Sequence, residues 1–115
     1  MIDSDDAKTY AGIELPDGWR VIESARAGLV GTVNRAFELM NEEPFYAVVP
    51  DDMVCGPIGW DKRLAAACAP NFVAWGDDGR WGKKLCTSFF IGGDLARELG
   101  FLLAPCFGHL YCDRV

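Results

Sequence analysis

The chain has 115 residues, 50% hydrophobic and 24% charged, the composition of an ordinary globular domain and not of a disordered chain. Seventeen acidic against eleven basic residues leave a net charge of −6, which argues against general binding to a phosphate backbone. No apolar run approaches the roughly 20 residues of a membrane span, and the N-terminus MIDSDDAKTY is acidic where a secretory signal is apolar.

In chain order, the acidic cluster Asp3-Ser4-Asp5-Asp6 comes first, then the turn-like Pro16-Asp17-Gly18 and a short strand expected over 19–23. Over residues 28–40, Leu29, Val30, Val33, Phe37 and Met40 recur at helical spacing, with Arg35 and Glu38 on the outer face and Pro44 beyond the stop. The run Phe45 to Val49, bounded by Pro44 and Pro50, predicts a strand buried on both faces. Trp60, Leu64 and Cys68 recur every four residues and predict a helix over 60–69. Asn71 to Trp75 and Thr87 to Ile91 read as two further buried strands. The loop Gly76-Asp77-Asp78-Gly79 separates them. Asp94 is expected to cap a helix that carries Leu95 and Leu99 and ends at Gly100. No repeat or linker divides the chain, so a single domain over 1–115 is expected. Strands alternating with helices imply a layered α/β domain with a mostly parallel sheet flanked by helices. In such sheets ligands gather beyond the carboxyl ends of the strands. Asp51-Asp52 and Asp77-Asp78 both follow expected strands.

Four constellations are candidates for chemistry. Asp51 and Asp52, after a buried strand, suit Mg²⁺ or Mn²⁺, because hard cations prefer carboxylate oxygen and a bound cation lets an acidic protein hold a diphosphate. A solvated turn accounts for the same pair. Asp3-Ser4-Asp5-Asp6 reads either as a solvated chain end or as a loop after a strand. Gly76-Asp77-Asp78-Gly79 reads either as a plain turn or as a loop orienting an acceptor hydroxyl. Cys106, His109 and Cys112, with Cys86, are zinc-type ligands without the paired Cys-x₂₋₄-Cys spacing of structural sites. The five cysteines, with Cys55 and Cys68, are odd in number and mostly lie among apolar residues, which reads as reduced thiols in a cytoplasmic protein. Trp81, between Arg80 and Gly82 in a loop, is placed either to stack on a sugar ring or to cover the core.

Taken in order, these segments resemble the GT-A fold glycosyltransferases (nucleotide-diphospho-sugar transferases), in particular the family-2-like group. Asp3-Ser4-Asp5-Asp6 looks like the acidic loop that contacts the nucleoside. Gly28-x-x-Gly31-x-x-Asn34-Arg35-Ala36 is similar to a helix signature of that group. Tyr46-Ala47-Val48-Val49-Pro50-Asp51-Asp52 looks like a strand ending in a DxD-type metal motif, with Pro50 in place of the first acid. Gly59-Trp60-Asp61 opens a helix as expected there. Phe89-Phe90-Ile91-Gly92-Gly93 and the helix after it lead to Leu110-Tyr111-Cys112-Asp113.

The resemblance implies a GT-A-like domain that begins after the first strand–helix unit and is shortened at its end. Its implied activity is metal-dependent transfer of a sugar from a nucleoside-diphosphate sugar to an acceptor hydroxyl, in active or degenerate form. Asp51 and Asp52 would hold Mg²⁺ or Mn²⁺, and Asp113 would be the general base. Asp5, Asp6 and Asn34 would contact the nucleotide, and Asp78 and Trp81 would face the acceptor. Homodimerisation would cover an open sheet edge. The alternatives from other classes are a non-catalytic binding or assembly module that keeps the fold alone, and a small zinc protein.

Overall fold

The computed structural model describes residues 2–49, 53–69 and 71–107. The elements in order are β1 (Ile2–Asp3), β2 (Glu23–Ser24), α1 (Gly28–Leu39), β3 (Phe45–Ala47), α2 (Trp60–Ala67), β4 (Val73–Trp75), β5 (Phe89–Gly92) and α3 (Gly93–Leu99), with short 3₁₀ turns at Ala7–Tyr10 and Gly82–Lys84. None of these helices is long and apolar enough to cross a membrane.

α1 forms where the apolar spacing places it. Val30 and Phe37 are buried, and Arg35 pairs with Glu38 at 2.7 Å on the outer face. Its last carbonyls have no partners within the helix. The Met40 N–H reaches back to the Phe37 carbonyl, and the carbonyls of the turn over 40–44 find partners on other elements. The Tyr46 hydroxyl donates to the Met40 carbonyl at 2.6 Å and accepts from the Glu43 N–H at 3.2 Å. Arg97 of α3 donates to the carbonyls of Asn41 (2.8 Å) and Glu43 (3.1 Å), and its other arm pairs with Asp94. The Gly93 N–H donates to the Pro44 carbonyl at 2.7 Å. Behind this turn Phe37, Tyr46, Ile91 and Ala96 form the core, with the Phe37 and Tyr46 rings edge to face at 5.0 Å.

The sheet overturns the expected mostly parallel, GT-A-like layered architecture. Two sheets are present among the described residues. A two-stranded one pairs β1 and β2 in parallel, and a three-stranded one has the order β3-β5-β4. Both pairings of β5 are antiparallel. β3 and β4 therefore run in the same direction, as a strand–helix–strand unit requires, but β5 lies between them and runs the other way. The β4–β5 connection contains only a 3₁₀ turn. Without a crossover helix β5 returns directly alongside β4, and that return makes the pairing antiparallel.

Three smaller expectations also change. The strands are not buried on both faces, since Ala47, Val73 and Trp75 are exposed. The strand expected over 19–23 narrows to Glu23–Ser24, because only this part finds a partner in β1. Gly92, not Asp94, occupies the N-cap of α3, and Asp94 sits in the first turn. Gly100 closes α3 in the left-handed conformation (φ 78°), with its N–H on the Ala96 carbonyl. α2 ends at Cys68, which is buried. Its thiol donates to the Phe72 carbonyl at 2.9 Å and lies 3.5 Å from that of Phe90, so it fastens helix to sheet.

Gly93 is packed so closely that a Cβ there would collide with the Glu43 carbonyl oxygen and crowd the Arg97 guanidinium. Gly93→Ala is expected to cost on the order of 3 kcal/mol, through overpacking of the turn after α1. Urea denaturation of the variant beside the wild type measures this.

Candidate functional site

Because β1 and β2 are parallel, the loops that follow them leave from the same end. Two backbone bonds, Ile2 N–H to the Ile22 carbonyl and Ser4 N–H to the Ser24 carbonyl, set their register. This brings Arg26 against the acidic loop from 21 residues away. Its Nε lies 3.1 Å from Asp3, and its Nη2 lies 3.1 Å from Asp5 and 3.6 Å from Asp6. The three carboxylates lie within 4.8 Å of one another. One guanidinium against three acids leaves the cluster with an excess of negative charge. All of its acceptors are carboxylate oxygens, the donor type of hard divalent cations. Asp5, Asp6 and Arg26 are open to solvent, so each pair contributes little to stability.

Arg26 also lines a groove of about 560 Å³ between the start of α1 and the segment after α3, together with Ser24, Gly31, Asn34, Arg35 and Phe101. Gly31 keeps this stretch of α1 low, since a Cβ there would meet that of Ala27 at 2.8 Å. Asn34 sits at the groove with its amide committed to the fold. Its Nδ2 donates to the Leu103 carbonyl at 2.7 Å, and its Oδ1 accepts from the N–H groups of Leu102 and Leu103, each at 3.0 Å. Asn34 thus latches the segment after α3 onto α1.

Asp78 holds its own loop. Its Oδ1 accepts from the N–H groups of Arg80 (2.9 Å), Trp81 (2.7 Å) and Gly82 (3.2 Å), and its Oδ2 from the Thr87 hydroxyl. These donors, the Trp81 and Arg80 N–H groups foremost, lower its pKa from 3.8 to about 2. Asp77 accepts from the Gly79 N–H in the same way. Trp81 is held partly exposed, with the Arg80 guanidinium 5.5 Å from its ring centre. The neighbouring indole, Trp75, donates to the Gly82 carbonyl.

The structure therefore gathers Asp5 and Asp6, adds Asp3 and Arg26 to them, and places Asn34 along the adjoining groove. Asp78 and Trp81 belong to a separate loop after β4. Asp51, Asp52 and Asp113 lie outside the described residues, as do His109 and Cys112. Arg26 carried no motif in the sequence, and only the parallel pairing of β1 and β2 brings it to the acids. Comparison with protein-family models, with curated proteins and with solved structures returns no match.

Two variants test these assignments. Asn34→Ala removes three partly buried bonds and is expected to cost on the order of 2 kcal/mol in urea denaturation. For Asp78 the folded pKa lies below the unfolded value. Its contribution is therefore complete above pH 3.8 and is lost as pH falls toward about 2. Tryptophan fluorescence followed through that window should show an acid transition in the wild type that Asp78→Asn lacks.

Proposed function

We propose that the chain binds a nucleoside-diphosphate sugar with a divalent cation and serves transfer of the sugar to an acceptor hydroxyl. The observation that carries this reading is the meeting of the acidic loop after β1 with Arg26 after β2, at the carboxyl ends of a parallel strand pair and beside an open groove. The Asp5 and Asp6 carboxylates are acceptors for ribose hydroxyls or base N–H groups. Arg26 supplies a planar fork suited to phosphate oxygens. The order of the sequence motifs adds Asp51 and Asp52 as holders of Mg²⁺ or Mn²⁺ and Asp113 as the general base that takes the acceptor proton. The cation, when bound, would supply charge neutralisation to the departing diphosphate.

The chain's accessible surface favours a second reading, a non-catalytic assembly module. Among the described residues Trp19, Val54, Ile58 and Phe72 are large apolar side chains left exposed, the kind of surface that binds a partner.

Thermal melts with UDP, GDP and a UDP-sugar, each with and without Mn²⁺, separate the two readings. A ligand present at about 100 times its Kd stabilises by about 2.7 kcal/mol, on the order of 10 °C for a chain of this size. The expected result is a Mn²⁺-dependent shift that Asp52→Ala abolishes and Asp5→Ala reduces. Equal shifts with and without Mn²⁺ would overturn the metal assignment. No shift with any nucleotide would overturn the transferase reading in favour of the assembly module.

A further inference from the structure

The sequence holds two Asp-Gly pairs, Asp17-Gly18 and Asp78-Gly79. In such a pair the glycine nitrogen can attack the aspartate Cγ, because glycine has no side chain to block the approach and turns its backbone freely. The N–Cγ bond forms, and the carboxyl hydroxyl leaves with the amide proton as water. A second water then opens the succinimide ring. Cleavage at Cγ restores aspartate. Cleavage at the main-chain carbonyl leaves the chain running through Cγ, as isoaspartate. The water lost is regained, so the step needs no oxidant or other reactant.

The two pairs are alike in sequence and opposite in structure. At Asp78 both reacting groups are engaged. Its Oδ1 accepts from the N–H groups of Arg80, Trp81 and Gly82, and its Oδ2 from the Thr87 hydroxyl. These donors hold the carboxyl as its anion, the form that gives up an oxygen least readily. The attacking group is also tied, since the Gly79 N–H donates to Asp77 Oδ1 at 2.8 Å.

At Asp17 neither group is engaged. Among the described residues no hydrogen bond or ion pair reaches the Asp17 carboxylate, and the Gly18 N–H donates to no acceptor. Both residues are exposed. A single bond, Trp19 N–H to the Pro16 carbonyl at 3.0 Å, closes the turn, with Gly18 in the left-handed conformation (φ 84°) at its corner. A Cβ built on Gly18 would meet nothing within 4 Å. The Asp17–Gly18 peptide therefore has room to rotate into the geometry of attack.

We propose that Asp17 is a modification site, where the Asp17–Gly18 linkage rearranges to isoaspartate while the fold protects Asp78–Gly79. The product carries a free α-carboxylate that an isoaspartate-specific methyltransferase accepts as substrate. The rearrangement adds a methylene to the backbone in the turn ahead of β2. The inference is independent of nucleotide binding.

Ageing of the intact protein tests it. Samples kept warm at neutral pH for weeks are digested with a protease that cuts before aspartate but not before isoaspartate, and the peptides are mapped by mass spectrometry. Parallel samples receive a labelled methyl group from the methyltransferase. In the folded protein, resistance to cleavage and label should build up at 17 several-fold faster than at 78. In guanidinium chloride the two sites should age at similar rates, because the hydrogen bonds around Asp78 are gone. Asp17→Glu, whose longer side chain closes the ring poorly, should lose most of the methyl uptake of the folded protein. Absence of isoaspartate at 17, equal ageing of both sites in the folded chain, or the same disparity in denaturant overturns the proposal.

Discussion

The carbonyl groups that follow α1 are the constraint around which the rest of the fold is arranged. A turn outside any helix or ladder must find partners for its backbone groups elsewhere. Here the carbonyls of Met40, Asn41, Glu43 and Pro44 are met by the Tyr46 hydroxyl from β3, the Arg97 guanidinium from α3 and the Gly93 N–H at the β5–α3 junction. One short turn therefore fixes α1, β3, β5 and α3 relative to one another. The same residues take part in the apolar packing, since Tyr46 meets Phe37 edge to face and Ala96 lies fully buried beside them. Polar satisfaction and core formation meet at one place, where a Cβ at residue 93 has no room.

Two further polar side chains each anchor a segment that lacks regular structure. Asn34 binds the stretch after α3 through three bonds, and Asp78 gathers three successive N–H groups and a hydroxyl between β4 and β5. In both cases a side chain offers what a helix or sheet would otherwise supply to the backbone. Amides and carboxylates engaged in this way shape the surroundings of a ligand more than they reach for it. The acidic loop differs. Among the described residues, the Asp5 and Asp6 carboxylates pair with a solvent-exposed arginine that is itself shared, and all three side chains face solvent.

Much of the element pattern was legible in the sequence because periodicity reports it directly. The stripe through Val30, Val33 and Phe37 marks α1. The uncharged run at Phe45 marks β3, and the four-residue spacing from Trp60 to Cys68 marks α2. Periodicity carries no information about strand direction. β5 inserts between β3 and β4 because its connection lacks a helix, and a 13-residue loop over 76–88 does not announce the side on which it returns. Asn34 was visible as a polar residue within the buried stripe, at i+4 from Val30 and i−3 from Phe37. That position hinted at a buried amide with fixed partners, although its membership in a glycine-containing signature drew attention to a ligand instead. Arg26 was not legible at all. It has no motif, and its meeting with Asp3 and Asp5 depends on β1 and β2 lying side by side.

The strand order also bears on how the chain comes together as it is synthesised. β5, the middle strand of its sheet, is the last of the three to leave the ribosome, and among the described residues it carries the rungs that join β3 to β4. Until residue 92 has emerged, both earlier strands wait without this partner, and Tyr46 lacks the cover of Ile91. Closure therefore comes late and in one event, when a single hairpin return supplies both ladders together. Such an order favours all-or-none closure of this sheet over stepwise accretion.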